Sequence, residues 1–305
     1  MNEPRSGGAV PAQASRRRVV RAMALAFLAL VGVIVGVTIA GGYDPWSSFE
    51  KKTLNPGFRS AATPADLGLK FERVAIPSGP RVLDGFLVRA DASCADTAAV
   101  LIFHGRNETV ADWINVQQRL HQSCISSLVF DYSGHGRSTP PGTIDNLDAD
   151  AVAADQFFLN AFPATERRCL LSHSMGGGPM LYAATRPDAA PDCVVIANPF
   201  ASLRAMAVLG GLPKAVSLVM PDRWDNVQMA ARLHAPMLWI HSKSDTTIPI
   251  AQGQKVYDAA AGPKSAIVLT GFGHNAIQDQ MPSAIWSPIT SFILHGLPRA
   301  TQSGS

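Results

Sequence analysis

Charge is scarce in this chain of 305 residues: Asp, Glu, Lys and Arg make up 16%, against 47% apolar residues. Disorder needs the opposite balance and is excluded. Aromatic residues amount to 7% and nowhere interleave with a basic patch, so a nucleic-acid-binding surface is not expected. The 25 glycines and 22 prolines follow no G-X-Y period, which removes a collagen triple helix. No repeat of roughly 20–50 residues marks a solenoid or propeller. Only four cysteines occur, without CxxC or Cys-x-His spacing, so no metal site is expected. No other cofactor is expected either.

The length suits one large α/β domain with an ample core. The net charge of +3 is a property of the first residues: Arg5, Arg16, Arg17, Arg18 and Arg21 face only Glu3 in residues 1–21. Residues 22–42 then carry no charged side chain. As a helix that run spans about 30 Å, the thickness of a bilayer's hydrocarbon core. The run reads as a transmembrane anchor behind a basic cytoplasmic leader, with residues 43–305 on the exported, periplasmic or extracellular side. The alternative is a cleaved export signal, for which Thr38-Ile39-Ala40 offers a small-x-small site and Ser15–Arg21 a twin-arginine pattern. Residues 43–65 read as a linker, 66–298 as the folded domain and 299–305 as a tail.

Within the domain, apolar runs alternate with helical spacing. Strands are expected at Leu69–Ile76, Val82–Arg89, Ala98–Phe103, Ile125–Phe130, Cys169–Ser172, Cys193–Ala197, Met237–Ile240 and Ala266–Leu269. Helices are expected at Thr109–Gln122, Ala151–Phe162, Met175–Thr185, Ala251–Ala260 and over most of Ile277–Leu294. Continuous apolar strands between helices mean a mostly parallel sheet covered on both faces. Ligands bind such sheets beyond the carboxyl ends of the strands, so the residues after each strand are where chemistry is sought. Cys94, Cys124, Cys169 and Cys193 each stand just before or at the start of a strand. Four cysteines allow three pairings, and unpaired buried thiols are a further alternative.

Three strand ends carry nucleophilic chemistry. Ser172-His173-Ser174-Met175-Gly176 lies between a strand and a helix, with small residues two before and two after Ser174. Asp245 follows the strand at 237–240, in Ser242-Lys243-Ser244-Asp245-Thr246-Thr247-Ile248-Pro249, and His274 follows the last strand in Gly271-Phe272-Gly273-His274-Asn275. A serine hydroxyl is a weak nucleophile. It needs a histidine to take its proton and an acid to hold that histidine's tautomer. Asp131 and His135, in Asp131-Tyr132-Ser133-Gly134-His135-Gly136, read as structural.

This order and these loops resemble the α/β-hydrolase superfamily, over about residues 68–297. The segments HGRN at 104–107, DYSGHGRS at 131–138, SHSMGG at 172–177 and RWDN at 223–226 are similar to its single-pass membrane-tethered branch, which includes protein depalmitoylases and lysophospholipid hydrolases. Ser172 and Ser242 stand where the family pattern has glycine, and Arg106 stands where HGN is common. The resemblance implies Ser174 as nucleophile, His274 as base, Asp245 as acid, and the amides of Met175 and Arg106 as oxyanion-hole donors. It also implies an eight-stranded sheet in the order 1-2-4-3-5-6-7-8. That order sets the cysteine-bearing strands side by side and favours Cys94–Cys124 with Cys169–Cys193. The apolar insert 200–235 reads either as packing onto the sheet or as an acyl-chain pocket and membrane-facing cap. The expected activity is hydrolysis of carboxylic esters or thioesters of a small-molecule or lipid-like acyl substrate. The alternatives are a peptidase or another reaction on the same triad, or an idle scaffold used for binding.

Overall fold

The computed structural model describes residues 11–41, 46–94, 97–162, 167–218, 220–278 and 282–297. Among these, one eight-stranded sheet carries the domain. Its strands are β1 Glu72–Ser78, β2 Arg81–Val88, β3 Ala98–Phe103, β4 Ile125–Phe130, β5 Arg167–His173, β6 Cys193–Ala197, β7 Met237–Ser242 and β8 Lys264–Leu269. The order is β1-β2-β4-β3-β5-β6-β7-β8. β2 pairs antiparallel with β1 and β4, and the remaining pairs are parallel.

Period-two alternation along buried strands feeds two cores. Ala99, Leu101 and Phe103 of β3 join a cluster with Leu147, Ala151, Ala154 and Phe158 of α4 (Ile144–Ala161) and Met180 and Leu181 of α5 (Gly177–Ala184), whereas Ala98, Val100 and Ile102 face a second cluster. That second layer contains Val116 and Leu120 of α3 (Ile114–Gln122) and Trp286, Ile289, Phe292 and Ile293 of α10 (Ser283–His295). Every residue of β3, β4 and β6 is buried. Full burial on both faces explains why these strands read as unbroken apolar runs rather than as alternating ones.

The helix expected from Ala151 begins seven residues earlier. Thr143 caps it by accepting the amide of Asn146, and Asp145 lies in its first turn. Ile144, Leu147, Ala151, Ala154 and Phe158 all face inward, a helical stripe hidden by the aspartates between them. The first strand also shifts, to 72–78. Leu69 is drawn into the turn after residues 64–67, where its amide donates to Pro64 O.

The expected disulfides are present. Cys169 and Cys193 are register partners on β5 and β6 and are bonded, and Cys94 is bonded to Cys124.

The reading of 43–65 as a linker requires correction. α2 (Ser47–Thr53) and its flanks belong to the folded body: Trp46 is 5% and Leu54 0% exposed. Glu50 Oε1 accepts the amide of Ile144 at 2.7 Å, at the N-terminus of α4, where a carboxylate also meets the helix dipole. Asn55 bonds Gly142 through both its amide oxygen and its amide nitrogen. These partners lie far away in sequence, so composition alone reads as a spacer.

The insert 200–235 forms α6 (Leu203–Leu209), α7 (Lys214–Ser217) and α8 (Asn226–Ala230). Phe200, Leu203, Trp224, Met229 and Leu233 are buried, whereas Leu209 and Leu218 are exposed. α9 (Ile250–Ala259) covers β7 from the first core.

At the N-terminus, α1 runs Pro11–Ala40 and takes in the arginines before the uncharged stretch. Among the described residues, no helix is long and apolar enough to cross a membrane, so the expected spanning helix at 22–42 finds no support there. Several side chains of that stretch lie outside the described residues. Those described include Met23, Leu25, Phe27, Leu30, Val33 and Val37, all exposed.

Candidate active site

Ser174 follows β5 at the centre of the sheet, where the strand order reverses and clefts form. Its φ is +53°, in the left-handed region that non-glycine residues seldom occupy. A single 3₁₀ turn, Ser174–Gly176, hands the chain to α5. So sharp a reversal brings backbones together. A Cβ on Gly176 would stand 2.1 Å from Phe103 O, so only glycine fits. On the other side of the turn Ser172 is fully buried.

The three residues singled out in sequence are brought into one hydrogen-bonded chain. Ser174 Oγ lies 2.9 Å from His274 Nε2, and His274 Nδ1 lies 2.7 Å from Asp245 Oδ2. The carboxylate partner makes Nδ1 the protonated nitrogen and leaves Nε2 to accept from the serine hydroxyl. Asp245 Oδ1 accepts the amides of Thr247 and Ile248, each at 2.8 Å. Burial pushes this carboxyl up, but the His274 hydrogen bond and those amides outweigh it and hold its pKa below the ordinary value.

The acid and histidine loops are tied to each other by a residue that departs from the family pattern. Ser242 Oγ donates to Phe272 O and accepts the amide of Ser244, while the Ser242 amide donates to Asn198 Oδ1 at 3.1 Å. Asn198, just beyond β6 at a φ of +47°, donates its side-chain amide to His274 O.

One pair of residues was not read from the sequence. Glu108 Oε1 faces His173 Nδ1 at 2.8 Å, and His173 Nε2 donates to His274 O at 2.9 Å. Glu108 Oε2 also accepts the Gly105 amide at 2.5 Å and Trp113 Nε1 at 3.0 Å. Burial raises the Glu108 carboxyl, yet the charge and hydrogen bond of His173 bring it down to about 2. Burial lowers His173, and the Glu108 charge more than reverses that. With an anion on one nitrogen and a carbonyl on the other, both ring nitrogens donate, so His173 is an imidazolium. The available signal was the joint presence of Glu108 in the loop after β3 and His173 inside the elbow. No local pattern connects them.

Arg106 and Met175 line a cavity of about 370 Å³ together with Ser174. The Arg106 loop is held from both sides: His135 Nε2 contacts Arg106 O at 3.1 Å, and Arg59 Nη1 donates to Asn107 O at 2.6 Å. Burial keeps His135 below its usual pKa, in line with its structural reading. The other walls of the cavity are Trp46, Phe49, Phe200, Leu203, Met206, Ala207, Thr247 and Ile248, so part of the 200–235 insert lines the site. Among the described residues, no group of three or more His, Cys, Asp or Glu is placed to hold a metal ion.

Residues 95–229 match the family described as serine aminopeptidase, S33, which covers the elbow and the Arg106 loop but stops short of Asp245 and His274. An uncharacterized protein of Mycobacterium tuberculosis is 29% identical over 179 residues, which is 58% of this chain and 63% of that protein. Alpha/beta hydrolase domain-containing protein 17C of Xenopus tropicalis is 25% identical over 206 residues, 66% of this chain and 63% of its own. The chain thus spans less than two thirds of these relatives' length. An esterase of Pyrococcus furiosus superposes with a TM-score of 0.62 at 19% identity, covering 79% of this chain and 96% of the esterase. Together with the strand order and the elbow, this settles the fold. The chain has the α/β-hydrolase fold. Est1E of Butyrivibrio proteoclasticus, solved with ferulic acid bound, has the same fold at a TM-score of 0.59 and 15% identity, covering 72% of this chain and 98% of Est1E. At such identities the likeness speaks for the fold alone.

Proposed function

We propose that this α/β-hydrolase is a membrane-anchored serine hydrolase that cleaves carboxylic esters or thioesters of acyl substrates through an acyl-enzyme. The observation that carries the reading is the continuous Ser174–His274–Asp245 hydrogen-bond chain opening on an apolar cavity. Ser174 Oγ attacks the acyl carbonyl as His274 Nε2 takes its proton, and Asp245 stabilises the imidazolium that forms. The amides of Met175 and Arg106 receive the developing oxyanion, each such donor being worth about 3–4 kcal/mol. His274 returns the proton to the leaving alcohol or thiol. A water then repeats the sequence on the acyl-serine and frees Ser174.

The anchor is supported by the uncharged run 22–42 behind five arginines, which by the positive-inside rule exports the catalytic domain. The two disulfides suit an oxidising compartment. A reporter fused after Ser305 is expected to be active only outside the cytoplasm, and activity confined to the cytoplasm would reverse the topology.

An aminopeptidase reading, suggested by the matched family description, has less support. A substrate α-ammonium needs a carboxylate partner, and among the described residues those lining the cavity include none.

Fluorophosphonate treatment followed by intact-mass analysis tests the nucleophile. One adduct is expected, absent in Ser174→Ala. An adduct that survives the substitution overturns the assignment.

A further inference from the structure

One wall of the cavity beside Ser174 comes from the segment that composition marks as a spacer. Trp46, directly before α2, and Phe49, within it, both line the cavity. Their rings meet edge to face with centroids 6.1 Å apart. Trp46 Nε1 donates to Pro221 O at 3.0 Å, tying α2 to the insert between α7 and α8, while Glu50 ties it to α4. The wall is therefore built and held from two sides, not a chance approach of a loose strand of chain.

Its place in the sequence matters as much. Gly42 ends the uncharged run and Trp46 follows four residues later. Four residues reach at most about 15 Å, so the cavity wall stands that close to the end of the run. Across the cavity, Phe200, Leu203, Met206 and Ala207 continue the apolar surface, and among the described residues lining it Arg106 is the one that is charged.

We infer that Trp46 and Phe49 are specificity-determining residues, which complete an acyl-binding pocket at the foot of the N-terminal apolar run and set the preference for long over short acyl chains. The inference rests on the reading of Ser174 as nucleophile and of 22–42 as anchor. A butyryl group is held by the elbow and its oxyanion donors. A dodecanoyl group lays its further methylenes against the remaining walls, of which α2 is one. Loss of that wall returns methylenes to water and penalises the long chain selectively.

The test uses the full chain in detergent and compares kcat/KM for p-nitrophenyl butyrate and p-nitrophenyl dodecanoate. In Trp46→Ala the dodecanoate-to-butyrate ratio is expected to fall roughly tenfold, with fluorophosphonate labelling of Ser174 retained. Trp46→Phe keeps an apolar ring at this position while removing the donation to Pro221 O; its ratio is expected to stay within about twofold. Phe49 is half-buried, and Phe49→Ala carries the test if Trp46→Ala fails to fold. An unchanged ratio in a variant that still labels overturns the inference, as does an equal fall for both esters. If the wild-type chain neither labels nor cleaves either ester, the hydrolase reading itself fails and this inference falls with it.

Discussion

His173 donates Nε2–H to the main-chain oxygen of His274 at 2.9 Å, so a side chain inside the turn that carries Ser174 grips the loop that carries His274. The two rings lie 4.8 Å apart between centroids. With its other nitrogen on Glu108, His173 couples the Arg106 loop, the elbow and the histidine loop through one buried charge pair. Positioning of this kind fixes the distance between Ser174 Oγ and His274 Nε2, on which proton transfer in the proposed reaction depends.

Glu108→Gln keeps the shape of the side chain and removes the anion. The His173 cation is then left buried without a counter-charge. Breaking a buried pair by deleting one partner costs about 3–5 kcal/mol. The Glu108 side chain is 14% exposed, which places the expected loss at the lower end, about 3 kcal/mol. Urea denaturation measures it, and a loss below about 0.5 kcal/mol, the scale of an ordinary surface substitution, would show that the pair does not hold the site.

The same pair predicts a pH window. His173 has its folded pKa raised above 6.5, so its contribution is complete below 6.5 and is lost as pH climbs through the raised value. Glu108 is lowered from 4.5 to about 2, so its contribution is complete above 4.5 and is lost only as pH falls through about 2. The stability difference between wild type and Glu108→Gln is therefore expected to peak between 4.5 and 6.5 and to shrink on the alkaline side. Asp131, whose carboxyl burial pushes up to about 7, is common to both proteins, so its own contribution is expected to cancel in the difference. A difference that grows with pH across the neutral range contradicts the assigned protonation.

Gly176→Ala sets a Cβ against the carbonyl of Phe103, backbone to backbone. Neither strand end yields without moving the elbow. Destabilisation of at least about 2 kcal/mol is expected, together with a loss of kcat of about a hundredfold from misplacement of Ser174. Thermal melts and ester turnover check both. Wild-type stability in the variant would mean that the elbow is looser than its geometry states.

Reduction of the disulfides is expected to lower thermal stability while leaving Ser174 reactive. Cys169–Cys193 closes a separation of 24 residues, worth about 3.5 kcal/mol on chain-entropy grounds. Both cysteines sit towards the amino ends of their strands, opposite the carboxyl ends that carry Ser174. Melting with and without reductant, followed by fluorophosphonate labelling, tests it. Loss of labelling at a temperature where the reduced protein remains folded would place the bridge in the active-site machinery.

Legibility followed the range of the interactions. β3, β4 and β6 fall on the residues expected, because burial on both faces writes each as an uninterrupted apolar run. Ser174, Asp245 and His274 were readable because each lies in a short loop whose residues must be small, acidic or basic for local reasons. The amino end of α4 was misread because its aspartates interrupt the stripe that Ile144 and Leu147 begin.

What the sequence by itself determined is the set of strands, their mostly parallel class and the three side chains that meet at the candidate site, since these depend on residue type and on neighbours a few positions away. What only the tertiary structure decided is which distant groups complete the site. Glu108 meets His173 across 65 positions, and Trp46 meets Pro221 across 175. Such contacts leave no periodicity in the chain. They exist because the β4-β3-β5 crossover and the packing of α2 against the insert bring together segments that nothing in their local composition connects.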